Sequence, residues 1–461
     1  MHDSGSGMRR PATPPLDIAV IGTGIAGMAC AWLLAAGHRV TVYECAERVG
    51  GHANTVDVAT PAGDIPIDTG FIVYNEITYP NLTALFRHLG VPTQASDMSF
   101  AVSVDDGRLE YAGTDLRGLF AQPRNLLRPR FWGMLLDLLR FYRAAPCDLP
   151  RLERELGSLD DYLRAGGYGA ALRDDHLLPM LAAVWSCPAA DARRHPAAAF
   201  IRFCDNHGLL QVSDRPVWRT VQGGSRAYVA RLTERFADRI RTNRAVLGIE
   251  RLDEGVRVNS TTGAHVYDHV VLACHADQAL ALLGAGATPR EREILGAFRY
   301  TRNVGVLHTD AALMPRRRGA WASWNYLGRS GAEAEAALPC VTYWMNRLQR
   351  LPAGTDYFVT LNPPRPPRPG TLLRSESYEH PVFDAGAIRA QRQLWSLQDD
   401  GGLWFCGAHF GAGFHEDGLQ AGLAVAEQLG GVRRPWRVVN ESGRIHVRPP
   451  HRQDAALETS V

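Results

Sequence analysis

The chain has 461 residues, 46% hydrophobic and 21% charged, which suits two domains or one domain with a large insertion. A net charge of +2 provides no global field for nucleic acid. All fifty basic residues are arginine, and the absence of lysine excludes a Schiff-base lysine, a pyridoxal-phosphate anchor and a P-loop.

Met1 to Pro15 is polar and rich in Pro, Gly and Ser, so a disordered lead over 1–15 is expected, without the apolar run of a secretory signal. No later run reaches the ~18 apolar residues of a spanning helix. Asp17 to Ile21 then reads as a buried parallel strand, and GTGIAG follows at once, with a helix opening at Ile25. Gly22 permits the tight turn, Gly24 admits a pyrophosphate close to the backbone, and Gly27 lets the helix pack on the strand. The free N–H groups at Ile25 and Ala26 and the helix dipole make an anion site. Gly37 is expected to end this helix. A second strand, Arg39 to Tyr43, delivers Glu44, whose carboxylate suits a ribose diol and would repel a 2′-phosphate, favouring FAD or NAD over NADP. Arg48-Val49-Gly50-Gly51-His52 supplies a second backbone approach and a phosphate-pairing arginine, which tips the choice to FAD.

Ile65 and Ile67 point to a strand ending in the Asp68-Thr69-Gly70 turn beside the cofactor, with Phe71 next. Asn81 to Leu89 reads as a helix, and Phe100 to Tyr111 as a hairpin turning at Asp105-Asp106-Gly107. Arg128 to Arg143 carries an apolar stripe at Phe131, Met134, Leu135, Leu138, Leu139 and Tyr142, one face of a helix. Between Asp115 and Arg151 seven arginines face three aspartates, a local charge of +4. Such a basic amphipathic segment either lies on an anionic membrane or packs its stripe on its own core. Leu159 to Arg164 and His176 to Val184 continue as helices.

Thr220 to Ser225 opens a helix over Ala227 to Phe236, and its Gly223-Gly224-Ser225 lacks the second glycine of a hydrolase elbow. Arg244 to Ile249, Gly255 to Ser260 and His269 to Ala273 read as strands that return to the first sheet. Arg299 to Thr360 is strand-like and aromatic, a second antiparallel sheet in which Trp324 and Tyr343 line an apolar chamber. Leu403 to Cys406 is a short strand, followed by the Gly407, Gly411 and Gly413 turn. Glu416 and Asp417 can cap a helix over Gly418 to Leu429, whose positive end would stabilise charge on a reduced flavin. The eight cysteines show neither CxxC nor zinc spacing, which indicates reduced thiols in a cytoplasmic setting and no metal site.

Three separated pieces thus match one pattern: GTGIAG with Glu44 and Arg48-x-Gly-Gly, the mid-chain GGS and VVLA segments, and the C-terminal glycine turn with HEDGL. The chain resembles the flavin-containing amine oxidase and phytoene desaturase superfamily. Within it, DTGFIVYNEITYPNL, WSCP, NHGLL, RPVWRTVQGGSR, WASWNY, YWMNRLQ and CGAHFGAGFHEDGL are similar to bacterial predicted NAD/FAD-binding proteins related to the N-terminal domain of plant cyclopropane-fatty-acid synthases. This resemblance implies a mixed α/β and α+β fold. A Rossmann-type FAD domain would come from 16–75, 211–285 and 398–432, and a substrate domain of helices and antiparallel sheet from 76–210 and 286–397, with a loosely ordered tail over 433–461.

The same resemblance implies FAD contacts at Gly22, Gly24, Gly27, Glu44, Arg48, Gly50, Gly51, Val246, Gly407 and Asp417 to Leu419, Gly418 included. The neighbours Ile25, Ala26, His52, Gly70 and Phe71 complete the expected cradle. Many amine oxidases of the superfamily hold a water near flavin N5 with a lysine, which this chain lacks, and His52 stands where many relatives carry arginine. The expected activity is removal of hydride from a C–H bond of an apolar substrate, a lipid acyl chain, to FAD. The alternatives are amine oxidation and a non-redox flavoprotein that partners a lipid-modifying enzyme. His415, Glu416, His409, His52 and Tyr74 are the candidates for a proton acceptor. The expected location is the cytoplasm, with peripheral contact at the inner membrane face through Arg128–Arg143.

Overall fold

The computed structural model describes residues 14–155, 157–211, 215–330 and 337–447. The expected disordered lead lies outside them but for its last two residues, and so does the tail beyond 447. Asp17–Ile21 is the centre of a five-stranded, all-parallel sheet. Arg39–Tyr43 and then Ile240–Arg241 lie on one side of it, His269–Leu272 and then Leu403–Phe405 on the other. Three stretches far apart in sequence therefore build one sheet. Its strands are short apolar runs because both faces are covered, as parallel sheets require.

The first helix, Ile25–Leu34, is small-residue-rich and buried along its whole length. It packs against His415–Gly430 so tightly that a Cβ on Gly422 would stand 2.1 Å from the Ala26 carbonyl oxygen. Gly37 does not end the helix in the left-handed conformation. Helical structure stops at Leu34, and Ala35 to Gly37 form a turn in which the Gly37 amide donates to the Leu34 carbonyl at 3.1 Å.

The second large sheet has seven strands in the order Leu372–Val382, Arg299–His308, Phe358–Leu361, Cys340–Trp344, Trp324–Gly328, Phe100–Val104 and Leu109–Ala112. The expected hairpin is present, with Asp105 and Asp106 both at positive φ, and all pairs are antiparallel except Trp324–Gly328 with Phe100–Val104. A strand absent from the sequence reading, Gly263–Tyr267, completes a meander with Val246–Leu252 and Gly255–Ser260. Its GAHVY is largely exposed and carries too little apolar alternation to announce itself. His176 falls in a π-turn, Arg173–Leu177, and the helix proper is Leu178–Trp185.

Of the expected stripe on the helix Pro129–Glu155, Phe131 and Met134 are buried against Val102, Val104 and Tyr111, while Leu139 is exposed. One expectation is corrected here. The segment from Arg433 to Val447 is not loosely ordered. Arg434 is buried and grips Glu427 with two parallel bonds of 2.7 and 2.9 Å, and Trp436 stacks on Trp32 at 5.8 Å. Arg444 forms a bidentate pair with Asp417 at 2.7 and 3.2 Å. Among the described residues, no helix is long and apolar enough to cross a membrane.

Candidate active site and cofactor cradle

The C-terminal ends of the parallel strands open on one crevice, where open α/β sheets bind ligands. Ile21 leads to Gly22, Tyr43 to Glu44, Leu272 to His275, and Phe405 to Gly407, and Gly22, Glu44, His275 and Gly407 all line a single cavity of about 730 Å³. The cavity continues past His52, Phe71 and His415 to a chamber walled by Met180, Phe203, Trp218, Trp324, Tyr343 and Leu361.

Gly22 sits at φ +106 and donates its amide to the Tyr43 carbonyl at 2.8 Å, which only a residue without a Cβ does without strain. A Cβ on Gly24 would meet nothing within 4 Å, so the space above the start of the Ile25 helix is open to a ligand. That helix has no side-chain cap and no acid in its first turn, leaving its amides for an anion. Gly27 works by packing: a Cβ there would stand 2.0 Å from the Gly22 carbonyl oxygen. The second glycine loop comes backbone to backbone with the first, since a Cβ on Gly51 would lie 3.0 Å from Gly24 Cα.

Glu44 is held at the end of its strand by the Thr23 amide (3.1 Å), the Thr23 hydroxyl and the Ala46 amide (2.9 Å), with its carboxylate still facing the cavity. Thr23, missed by the sequence reading, also accepts from the Gly50 amide at 3.2 Å, tying both glycine loops to the acid. Arg48 does not reach the cavity wall; it donates to the Gly51 carbonyl at 2.8 Å and so braces the loop.

Of the expected cradle, Gly22, Gly24, Ile25, Ala26, Glu44, Gly51, His52, Gly70, Phe71, Val246 and Gly407 line the cavity. Gly27, Arg48, Gly50, Asp417, Gly418 and Leu419 stand behind it. Asp417 accepts from the Phe414 amide at 2.8 Å and pairs with Arg444. Leu419 is buried in the core. Gly418 lies where a Cβ would come 3.0 Å from Ile25, so it packs the two helices together, and none of the three residues faces the cavity.

The proton-acceptor candidates divide in the same way. His409 and His415 line the cavity, whereas Tyr74 and Glu416 do not. Tyr74 is packed against Tyr79 and Phe86. Glu416 is fully buried and receives the Asn81 amide and side chain, the Leu82 amide and the Gln420 side chain at 2.9–3.0 Å, so its role is to fix that corner of the fold. Burial raises its pKa and these donors hold it back.

His415 stacks on Phe71 at 3.6 Å and meets the Tyr228 hydroxyl at 2.9 Å through Nε2. Burial lowers both His409 and His415 to about 3, so both are neutral. Burial, reinforced by the nearby His380, likewise keeps His52 well below the ordinary imidazole value. The Nε2 atoms of His52 and His409 are buried without a partner, which is costly unless a ligand completes them.

Three further lining residues escaped the sequence reading. His275 stacks on Tyr300 at 4.4 Å and lies 3.4 Å from Glu379, while His380 and Tyr378 flank His52. His275 had a usable signal, its place directly after a buried parallel strand. His380 and Tyr378 had none, since strand Leu372–Val382 carries no motif. Open backbone amides, an acid at the strand end, glycine loops in contact and unpaired ring nitrogens together fit a flavin dinucleotide.

The comparisons agree with this geometry. Residues 25–347 match the family model of flavin containing amine oxidoreductases. A Mycobacterium tuberculosis protein provisionally named flavin-containing monoamine oxidase AofH is 30% identical over 281 residues, 58% of this chain and 58% of that protein. Cyclohexylamine oxidase from Brevibacterium oxydans shares the fold with a TM-score of 0.63 at 16% identity, over 90% of this chain and all of that one (100%). A CLA-producing fatty acid isomerase from P. acnes does so with a TM-score of 0.61 at 16% identity, over 91% and 99%. The chain belongs to the flavin-containing amine oxidoreductase family, whose members are FAD-dependent oxidoreductases.

Proposed function

We propose that this chain removes a hydride from a C–H bond of an apolar substrate, a lipid acyl chain, with FAD as the acceptor. The observation that carries the reading is the chamber wall. Among the described residues, the acidic side chains lining the cavity are Glu44, at the strand end by the glycine turn, and Glu379, beside His275. The part bounded by Phe203, Trp218, Trp324 and Tyr343 offers aromatic surface and no carboxylate to greet an ammonium. The absence of lysine from the whole chain adds to this. The fold shared with a fatty acid isomerase also supports it.

In this reading Gly22 to Gly27, Glu44 and the Gly50-Gly51 loop hold the dinucleotide, while His52, Phe71, Gly407 and His409 surround its reactive end. When bound, FAD supplies a two-electron acceptor for the hydride. The chamber residues orient the acyl chain and exclude water. His409 and His415, held neutral by burial at about 3, are poor bases at neutral pH, so the proton lost beside the hydride passes to water and these rings serve as hydrogen-bonding walls.

Amine oxidation is the second reading, favoured by the family match and by the mycobacterial relative. Anaerobic mixing of the flavin-loaded protein with phospholipids, free fatty acids or amines separates the two. Bleaching by an acyl compound, with loss of two hydrogens in the extracted product, is the expected result. Bleaching by amines alone rejects the lipid reading. No bleaching by any of them favours a flavoprotein that partners a lipid-modifying enzyme.

A further inference from the structure

Of the sixteen large apolar side chains most exposed among the described residues, six fall between Leu116 and Leu139: Leu116, Leu126, Leu127, Trp132, Leu136 and Leu139. Leu127 is 85% exposed, Leu116 75% and Leu136 67%. Trp132, Leu136 and Leu139 follow one another at helical spacing on Pro129–Glu155, on the side turned away from the buried Phe131 and Met134. The Trp132 indole donates to the Leu126 carbonyl at 2.9 Å, and its ring lies 5.7 Å from Phe120, which locks the Pro123–Leu127 turn to the helix as one surface. Such an apolar patch on a folded chain calls for an occupant.

The charges around it indicate which. Arg143 continues the exposed line one turn beyond Leu139, and Arg117 follows Leu116; both are exposed. Arg124 and Arg128 flank Leu126 and Leu127, and their side chains donate to backbone carbonyls such as that of Arg108. Arg128 is crowded enough that burial and the charges of Arg124, Arg108 and Arg317 lower its pKa. An apolar strip with Leu and Trp at its centre and arginine around its edge is the pattern of an element lying in a bilayer interface.

We propose that this face docks on an anionic lipid bilayer, with Leu127, Trp132, Leu136 and Leu139 in the acyl boundary and Arg117, Arg124, Arg128 and Arg143 among the headgroups. Of these, Leu139 belongs to the stripe that the sequence singles out, whereas its Phe131 and Met134 are spent on the core. The inner face of the same helix packs with strand Phe100–Val104, and Phe100 itself lines the cavity. Docking therefore brings the cavity wall within one helix of the membrane, whatever substrate is oxidised there.

The test is flotation of the full-length, flavin-loaded protein with vesicles of phosphatidylcholine alone and with about a third phosphatidylglycerol. The expected result is binding at least about tenfold tighter to the anionic vesicles, weakened by salt. The double variant Leu127→Asp/Leu136→Asp, at exposed positions and retaining its flavin spectrum, should lose about tenfold or more. Arg117→Glu/Arg143→Glu should abolish the preference for anionic lipid. Failure to float with either vesicle, or undiminished binding of both double variants, overturns the proposal. A dimer of the wild type that Leu127→Asp/Leu136→Asp dissolves, with no flotation, overturns it in favour of a second copy of the chain.

Discussion

Two helices begin at the cavity, and they are built in opposite ways. Ile25–Leu34 starts from Gly24 with no capping side chain and no acid in its first turn, so its amides and dipole are left for a ligand. His415–Gly430 starts with Glu416 and Asp417 in its first turn, both buried, and Asp417 takes the Phe414 amide itself. The sequence pattern suggested that this second helix would aim positive potential at a reduced flavin. Instead, carboxylates and the bidentate Arg444 already occupy its positive end. One helix start serves a ligand, and the other serves the fold.

The contrast can be broken most severely at Gly27. Gly27→Val forces a side chain into the Gly22 carbonyl, and we expect a loss of more than about 3 kcal/mol together with the flavin colour. Gly286→Ala, where a Cβ meets nothing, should be silent in the same urea titration. At the other helix, Arg444→Met leaves Asp417 buried without its counter-charge and should cost about 3 kcal/mol, with colour retained in the folded fraction. Adding Asp417→Asn should recover much of that loss; no recovery would mean that Arg444 acts through Thr78 or packing instead.

The smallest effect is on pH. Burial holds His207, His409 and His415 at about 3, and His195 at about 4, below the ordinary 6.5. The unfolded chain therefore binds more protons in that window, and stability falls as pH drops from about 6.5 toward about 3. Asp68, raised by burial to about 6, acts with the opposite sign between its ordinary 3.8 and 6, and Glu416 and Asp417 are raised as well. The buried histidines outnumber them, so Tm should be a few degrees lower at about pH 5 than at about pH 7. A higher Tm at the acidic end would show that the carboxylates dominate.

How much of this was legible follows from what each part depends on. The Ile25 side of the crevice is written in consecutive residues, because a strand, a glycine turn, a helix and an acid at fixed spacing are a local pattern. The seven-stranded sheet was visible as aromatic, β-rich text. What stayed hidden depends on contacts between distant segments: His380 beside His52, Tyr378 bonded to both Asn54 and Thr69, and Glu416 turned toward Asn81. Arg433 to Val447 looked loose because arginine and proline usually signal exposed chain. Only the partly buried Glu427 and the buried Asp417 show why those arginines are held. In the helix Pro129–Glu155 periodicity shows one broad apolar stripe but not that Phe131 and Met134 go to the core while Leu139 stays exposed.

The union of remote segments also sets the order of assembly. His38 bonds the Gly430 carbonyl at 2.9 Å across 392 residues, and the strand Leu403–Phe405 closes a sheet begun at Asp17. During translation the glycine turn leaves the ribosome early but has no opposite wall until the far segments emerge. Cofactor loading is therefore a late event in the life of each molecule, and a nascent chain halted before Leu403 should be colourless however intact its dinucleotide motif.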